Sequence, residues 1–431
     1  MKRTLAALVG AISAMATVPA VAGASASATS GSATLAAEHT DFPGTFVIDW
    51  NRELLSILKT PGAQPATIHP TRSLAILHAA IYNAVVSITG DAPAYLFKVR
   101  APEDARPDAA AAQAGHDSLA ALYPSMTPAL DQLLATELAT IPQGDATRDG
   151  IRVGHAAAAR MVMIRTNDGS GVTPPIFKPG SNPGNYQLTP PLFAQPVFTN
   201  WANITPFVLR DAAQFRPAAP PSLTSVAYAN AVNEVKSLGQ NVSTTRTPDE
   251  TVIAKFWAGP IWITWNEIAD NAAVAHGTDL LRTASLFANL NLAFADSAIA
   301  FYDAKYTFQL WRPVTAIREA NTTGNPLTIA DPTWTPLATT ALDPSYPGAH
   351  STISAAGALV LASFFGDHNA ITVTSDVLPG VVRTFDSYSD VAVEAGLSRI
   401  FAGQHTRLDH VAGLHLGRNV AELVLDTLGR P

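Results

Sequence analysis

An all-α fold is predicted for this 431-residue chain on three observations. Apolar residues recur every three or four positions through most of the chain, the spacing of a buried helical stripe. The stretch Asp279 to Leu310 is rich in Ala and Leu and contains neither Gly nor Pro. Strand patterning is scarce: "AITVTSDV", residues 370–377, is the best example and is short. Charged residues make up 14% and the formal net charge is −7, which argues against a nucleic-acid partner. Any anion site must therefore be assembled locally from a few cations.

The elements follow in chain order. Residues 1–28 open "MKRTLAALVGAISAMATVPAVAG", with basic residues, then an apolar run, then small residues that fit two A-x-A cleavage sites. This predicts an export signal that leaves the mature protein. No later stretch reaches the roughly 18 apolar residues of a membrane span. There is no cysteine, so disulfides, thiolate metal sites and a cysteine nucleophile are excluded.

Residues 29–167 are expected to form an N-terminal helical half. Leu74, Leu77, Ile81 and Val85 mark one buried stripe, and helices are predicted over 104–122, 128–139 and 145–167. Residues 168–224 are crowded with Pro and Gly, which cannot sustain a helix. They also hold Tyr186, Trp201 and several Phe, so a long ordered loop packed over the core is expected, not a tether. Residues 225–431 form a C-terminal helical half. Its predicted helices cover 225–238, a stretch around 249–273, 279–310, 351–365, 390–402 and a last one ending near Leu428.

Three short segments in that half could carry chemistry. In "DAKYTFQLWRPVTAIRE", Lys305 and Arg312 are seven apart and would share a helix face, with Pro313 near the helix end. Two surface cations near a helix C-terminus fit the same pattern. In "SRIFAGQHTRLDHVAG", Arg399 precedes His405 and Asp409, which are i, i+4, so on a helix the carboxylate would reach the imidazole. A structural His–Asp pair fits equally. In "DPSYPGAHSTISAAGALVLASFFG", His350 stands at the mouth of a predicted helix beside free backbone N–H groups; it is either a cap or a catalyst. Together, Lys305, Arg312, Arg399, His350 and His405 are the side chains a tetrahedral oxyanion requires: cations for its oxygens, one imidazole for the central atom and one to move a proton.

The sequence resembles the vanadium-dependent haloperoxidase family, within the type 2 phosphatidic-acid phosphatase superfamily. The likeness rests on a three-part signature: Lys305 to Arg312-Pro313, then Pro347-Gly348-Ala349-His350, then Ser398-Arg399 to His405 to Asp409. It extends to "RSLAILHAAIYNAV", "NEVKSLG" and "TPPLFAQPVFTNWANITPFVLRDAAQFRPAAPP". The resemblance implies helical bundles of the haloperoxidase and acid-phosphatase type. It implies vanadate as cofactor, with phosphate able to take the same site. Lys305, Arg312, Arg399, Gly348 and Ala349 would bind the oxyanion. His405 would be the vanadate ligand or a phosphatase nucleophile, His350 the acid/base group, and Asp409 the orienting carboxylate. Hydrogen peroxide and halide, or a phosphate ester, would be the reactants. Asp249 and Glu250 are the carboxylates expected to brace Arg399.

There are two departures from the signature. Gly348 replaces a serine, and the lost charge-assisted hydrogen bond should cost about 1.5–3 kcal/mol. Ala349 replaces a glycine, harmless unless the site needs positive φ. A position that is aromatic in fungal-type members, seven before His350, is Asp343, whose carboxylate disfavours chloride nearby. Three functions follow: a haloperoxidase, an exported acid phosphatase, or an oxyanion-binding protein whose catalysis decayed with the serine.

Overall fold

Thirteen α-helices and one small hairpin make up residues 42–430, which the computed structural model describes. The expected export signal lies outside these residues. The first helices are α1 (Thr45–Lys59), α2 (Pro70–Thr89), α3 (Pro107–Leu122), α4 (Thr127–Ala139) and α5 (Asp145–Arg165). Helix α2 carries the expected stripe Leu74, Leu77, Ile81 and Val85, all buried, and its ends are set by local signals. His69 caps its start, Pro70 takes the first position where no N–H is needed, and Gly90 ends it in the left-handed region at φ 73°.

The next elements are α6 (Val226–Leu238), α7 (Pro248–Phe256), α8 (Ile261–Ala275), α9 (Leu280–Phe308) and α10 (Pro313–Arg318). The stretch expected as helical around 249–273 is thus two helices, because Gly259-Pro260 interrupts it. The short α10 was not anticipated. After α11 (Ala349–Phe365) come β1 (His368–Thr374) and β2 (Val382–Ser387), paired antiparallel. The expected strand is β1; β2 carries weaker alternation and was missed. Helices α12 (Tyr388–Phe401) and α13 (Arg407–Leu428) complete the chain.

The 29-residue α9 is the axis of the core, buried along nearly its whole length. Helices α2, α11 and α13 all pack on it. Two described helices, α2 and α9, are long and apolar enough to cross a membrane, contrary to the expectation that no stretch would qualify. In both, 94% of the apolar window is buried within the protein.

The Pro/Gly-rich segment lies on this core. Trp201, Ile204, Phe207 and Leu209 are buried. Asp296, in the middle of α9, accepts the N–H groups of Phe207, Val208 and Leu209, each at 2.7 Å. Three bonds to one carboxylate compensate the cost of burying it.

Candidate active site: a buried cluster of cations and two imidazoles

Lys305 lies in the last turn of α9 and is fully buried. The helix stops three residues later. Gln309 adopts left-handed backbone (φ 48°, ψ 38°), and its N–H returns to the Lys305 carbonyl at 2.8 Å. The chain reverses, and Arg312 becomes the N-cap of α10 with Pro313 at its first position. Lys305 and Arg312 therefore do not share a helix face, as the seven-residue spacing had suggested. The proline begins a helix; it does not end one.

The two cations meet all the same, around Asp343. Its carboxylate pairs with Arg312 Nη2 and lies 3.2 Å from Lys305 Nζ. Its backbone carbonyl accepts from Arg312 Nε at 2.7 Å. Lys305 also donates to the carbonyls of Pro344 and Ser345, the latter at 3.3 Å. Burial lowers the Lys305 pKa to about 8, and Asp343 opposes the shift. Burial would raise the Asp343 pKa, but the Lys305 and Arg312 charges outweigh it and hold the carboxyl below its usual range.

His405 does not sit on a helix. Thr406 is the N-cap of α13, so His405 precedes it, while Asp409 occupies the third helical position and closes a capping box with Thr406. The expected i, i+4 face is thus a turn that folds the carboxylate back, leaving Asp409 Oδ2 3.4 Å from His405 Nδ1. Ser345 Oγ (2.7 Å) and the Thr406 N–H (2.6 Å) donate to the same oxygen. On the other side of the ring, Arg312 Nη1 donates to His405 Nε2 at 3.2 Å. A guanidinium can only donate, so Nε2 carries the lone pair and Nδ1 the proton. Burial, then the Arg312 charge, lowers the His405 pKa to about 3, so the ring is neutral.

Helix α11 begins at Ala349, two residues before the expected Ser351, so His350 is its second residue and Gly348 its N-cap. The Gly348 N–H donates to the Asp409 carbonyl at 2.9 Å, which ties the two signature segments together. Ala349 has ordinary helical backbone and meets no strain, so its N–H is retained. His350 Nε2 donates to the Trp257 carbonyl at 3.0 Å, which leaves Nδ1 as the acceptor of a neutral ring. His350 is half-buried. Burial and the Arg399 charge hold its pKa well below the ordinary value.

Arg399 lies in the last turn of α12 and is 9% exposed. Its Nη1 is buried with no hydrogen-bond partner, and burial followed by the Arg312 charge lowers its pKa to about 10. Neither expected carboxylate braces it. Asp249 pairs with Arg383 at 3.0 Å, and Glu250 receives the Thr247 N–H at 2.7 Å in a capping box.

The donor set fits a tetrahedral oxyanion. Three cations, an imidazole lone pair that accepts from Arg312 and a buried guanidinium N–H without an acceptor converge beside the first turn of α11. Sequence reasoning missed three contributors. Ser345, five residues before His350, reinforces Asp409; the carbonyls of Trp257 and Gln404 fix His350 and Arg312, the latter at 2.9 Å. The serine stands inside a quoted motif and could have been proposed. Main-chain carbonyls leave no trace in a sequence. A cavity of about 450 Å³, lined by Phe256, Trp257, Pro260 and Ile261, lies next to the segment on which His350 rests.

Comparison with known proteins bears on the fold and the family. Residues 285–430 match the family model of the second helical-bundle domain of vanadium chloroperoxidase. The chain is 25% identical to the vanadium chloroperoxidase of Curvularia inaequalis over 498 aligned positions, covering 87% of this chain and 80% of that protein. Among solved structures, a bacterial vanadium-dependent iodoperoxidase matches with a TM-score of 0.76 at 25% identity, over 90% of this chain and 98% of the other. A bacterial vanadium-dependent chloroperoxidase in its holo form matches with a TM-score of 0.67 at 17% identity, over 86% and 94%, a likeness of fold. With the C-terminal bundle matched to that family's domain and most of both chains aligned, the chain is similar to vanadium-dependent haloperoxidases over most of its length.

Proposed function

We propose that the protein is an exported vanadium-dependent haloperoxidase that oxidises iodide and bromide, and chloride poorly or not at all. The observation that carries the reading is the buried, unpartnered Arg399 guanidinium beside Arg312, with the His405 Nε2 lone pair next to it. A buried cation without a counter-charge, beside a second cation, is costly unless an anion joins it.

Lys305, Arg312 and Arg399 would hold the oxygens of vanadate, together with the N–H groups at the start of α11. His405 Nε2 is the nitrogen that would ligate it, and Asp409 holds the opposite nitrogen protonated so that the lone pair points inward. Vanadate, when bound, supplies the Lewis acidity that activates hydrogen peroxide toward two-electron oxidation of halide to hypohalous acid. His350 Nδ1 would be the atom that accepts and returns a proton, because Nε2 is committed to the Trp257 carbonyl. The halide preference rests on Asp343, whose carboxylate disfavours a small hard anion. The similarity to an iodoperoxidase supports it further. The signal-like segment at 1–28 supports export.

The test uses the purified mature protein. After loading with orthovanadate, halogenation of a phenol-red-type indicator is followed with peroxide and iodide, bromide or chloride. Hydrolysis of an aryl phosphate is followed in the vanadate-free form. Vanadate-dependent turnover of iodide and bromide that disappears in His405→Ala is expected. Hydrolysis without halogenation would replace the reading with a phosphatase, and anion binding without either activity would replace it with a decayed enzyme.

A further inference from the structure

Asp343 stands out once the proposed oxyanion site is accepted, and the following rests on that reading. Its carboxylate occupies the Lys305 and Arg312 charges that the guest needs. It is 6% exposed, so no bulk water screens these pairs. Its backbone is held separately, through the carbonyl that accepts from Arg312 Nε at 2.7 Å. The side chain can therefore rotate away while the main chain keeps its place. The Asp343 charge is felt by His69, Tyr302 and Tyr306, on the side of the site where His69 lies among Phe198, Trp262, Phe301 and Tyr302.

The charge balance points the same way. Lys305, Arg312 and Arg399 bring three positive charges, and Asp343 and Asp409 two negative ones, leaving a surplus of one. The surplus charge is the unpartnered Arg399. A doubly charged oxyanion that entered with Asp343 still in place would leave the pocket net negative. One that displaces Asp343 from Lys305 and Arg312 takes over the pairs they already make.

We propose that Asp343 is a specificity-determining internal anion: its carboxylate competes with the tetrahedral guest for Lys305 and Arg312, and oxyanion binding requires its displacement. The side chain acts as an intramolecular competitor at a very high effective concentration. It weakens every oxyanion that relies on those two cations, and it does so without contacting the His405 or His350 rings.

Titration calorimetry with orthovanadate and with inorganic phosphate, on wild type and Asp343→Asn at one fixed pH, tests this. The expected result is at least tenfold tighter binding of both anions by the variant, which is about 1.4 kcal/mol. Unchanged or weaker binding by the variant, with measurable wild-type binding, overturns the proposal and leaves the oxyanion reading standing. Failure of both proteins to bind either anion overturns both. Should the variant not fold, vanadate-soaked crystals of the wild type decide. The Asp343 carboxylate is expected beyond 4 Å, an ion pair's reach, from Lys305 Nζ and Arg312 Nη2; a carboxylate still paired with both beside bound vanadate overturns the proposal.

Discussion

Gly348 shows how one residue sets the strength of the site. Its φ of −75° is open to any residue, so the glycine serves no backbone need. A Cβ there would lie 3.3 Å from the Asp409 carbonyl and 3.4 Å from Ser351 Oγ, close but accommodated by a shift of a few tenths of an ångström. Gly348→Ser should therefore fold and raise vanadate affinity by about one to two powers of ten, the worth of one charge-assisted hydrogen bond. Calorimetry reads this directly, and a fall in affinity would refute it. Asp409→Asn should act oppositely. It weakens the hold on His405 Nδ1 and one end of the α13 capping box, so vanadate retention should fall about 10- to 100-fold. Retention is measured by metal analysis after dialysis. At this scale the sequence was informative about identity and uninformative about geometry. Lys305, Arg312, Arg399, His350 and His405 were all identifiable from spacing and resemblance. That Lys305 and Arg312 meet through a reversal at Gln309, and not along one helix face, was not, because a left-handed Gln has no sequence signature.

At the scale of elements, the site depends on how closely α13 approaches α11. Gly413 and Gly417 make that approach possible. A Cβ at Gly413 would fall 2.5 Å from the Gly348 carbonyl, and one at Gly417 closer still to that of Thr352. These contacts involve backbone, so neither side can yield cheaply. Gly417→Ala should destabilise the protein by about 1–3 kcal/mol, read as a lower urea midpoint at unchanged slope. The same approach lets the Gly348 N–H reach the Asp409 carbonyl, so the variant should also lose vanadate affinity. A helix boundary was well predicted where proline marked the start, as in α4, expected over 128–139 and found over Thr127–Ala139. The strand β2 and the short α10 escaped because neither is long enough for periodicity to register.

For the whole molecule, stability should depend on pH through buried carboxyls distant from the site. Glu137 is raised to about 8, chiefly by burial, although Trp50 Nε1 donates to it at 2.7 Å. Asp270 is raised to about 7, again first by burial. In the unfolded chain both ionise near their ordinary values, while the folded protein keeps them protonated. The unfolded state then binds fewer protons, so stability falls as pH rises from about 4.5 through about 8 and levels off above. Glu137→Gln keeps an oxygen for Trp50 and removes the ionisation. It should flatten that decline and raise the melting temperature at pH 8 more than at pH 5; equal effects at both would refute the assignment.

The grip of Asp296 on the Phe207–Leu209 amides has a mechanical consequence. The same rod that clamps the irregular cover carries Lys305 nine residues on, about 14 Å along the axis. Cover and cation are geared to one shaft, so a tug on the clamp reaches the ammonium without passing through the pocket's other walls. The stretch ahead of the clamp is keyed to the same shaft, because the Tyr186 N–H reaches the Gln309 carbonyl at 2.6 Å and the Trp311 N–H the Gly184 carbonyl at 2.9 Å, so shortening it would reset the guest's cradle.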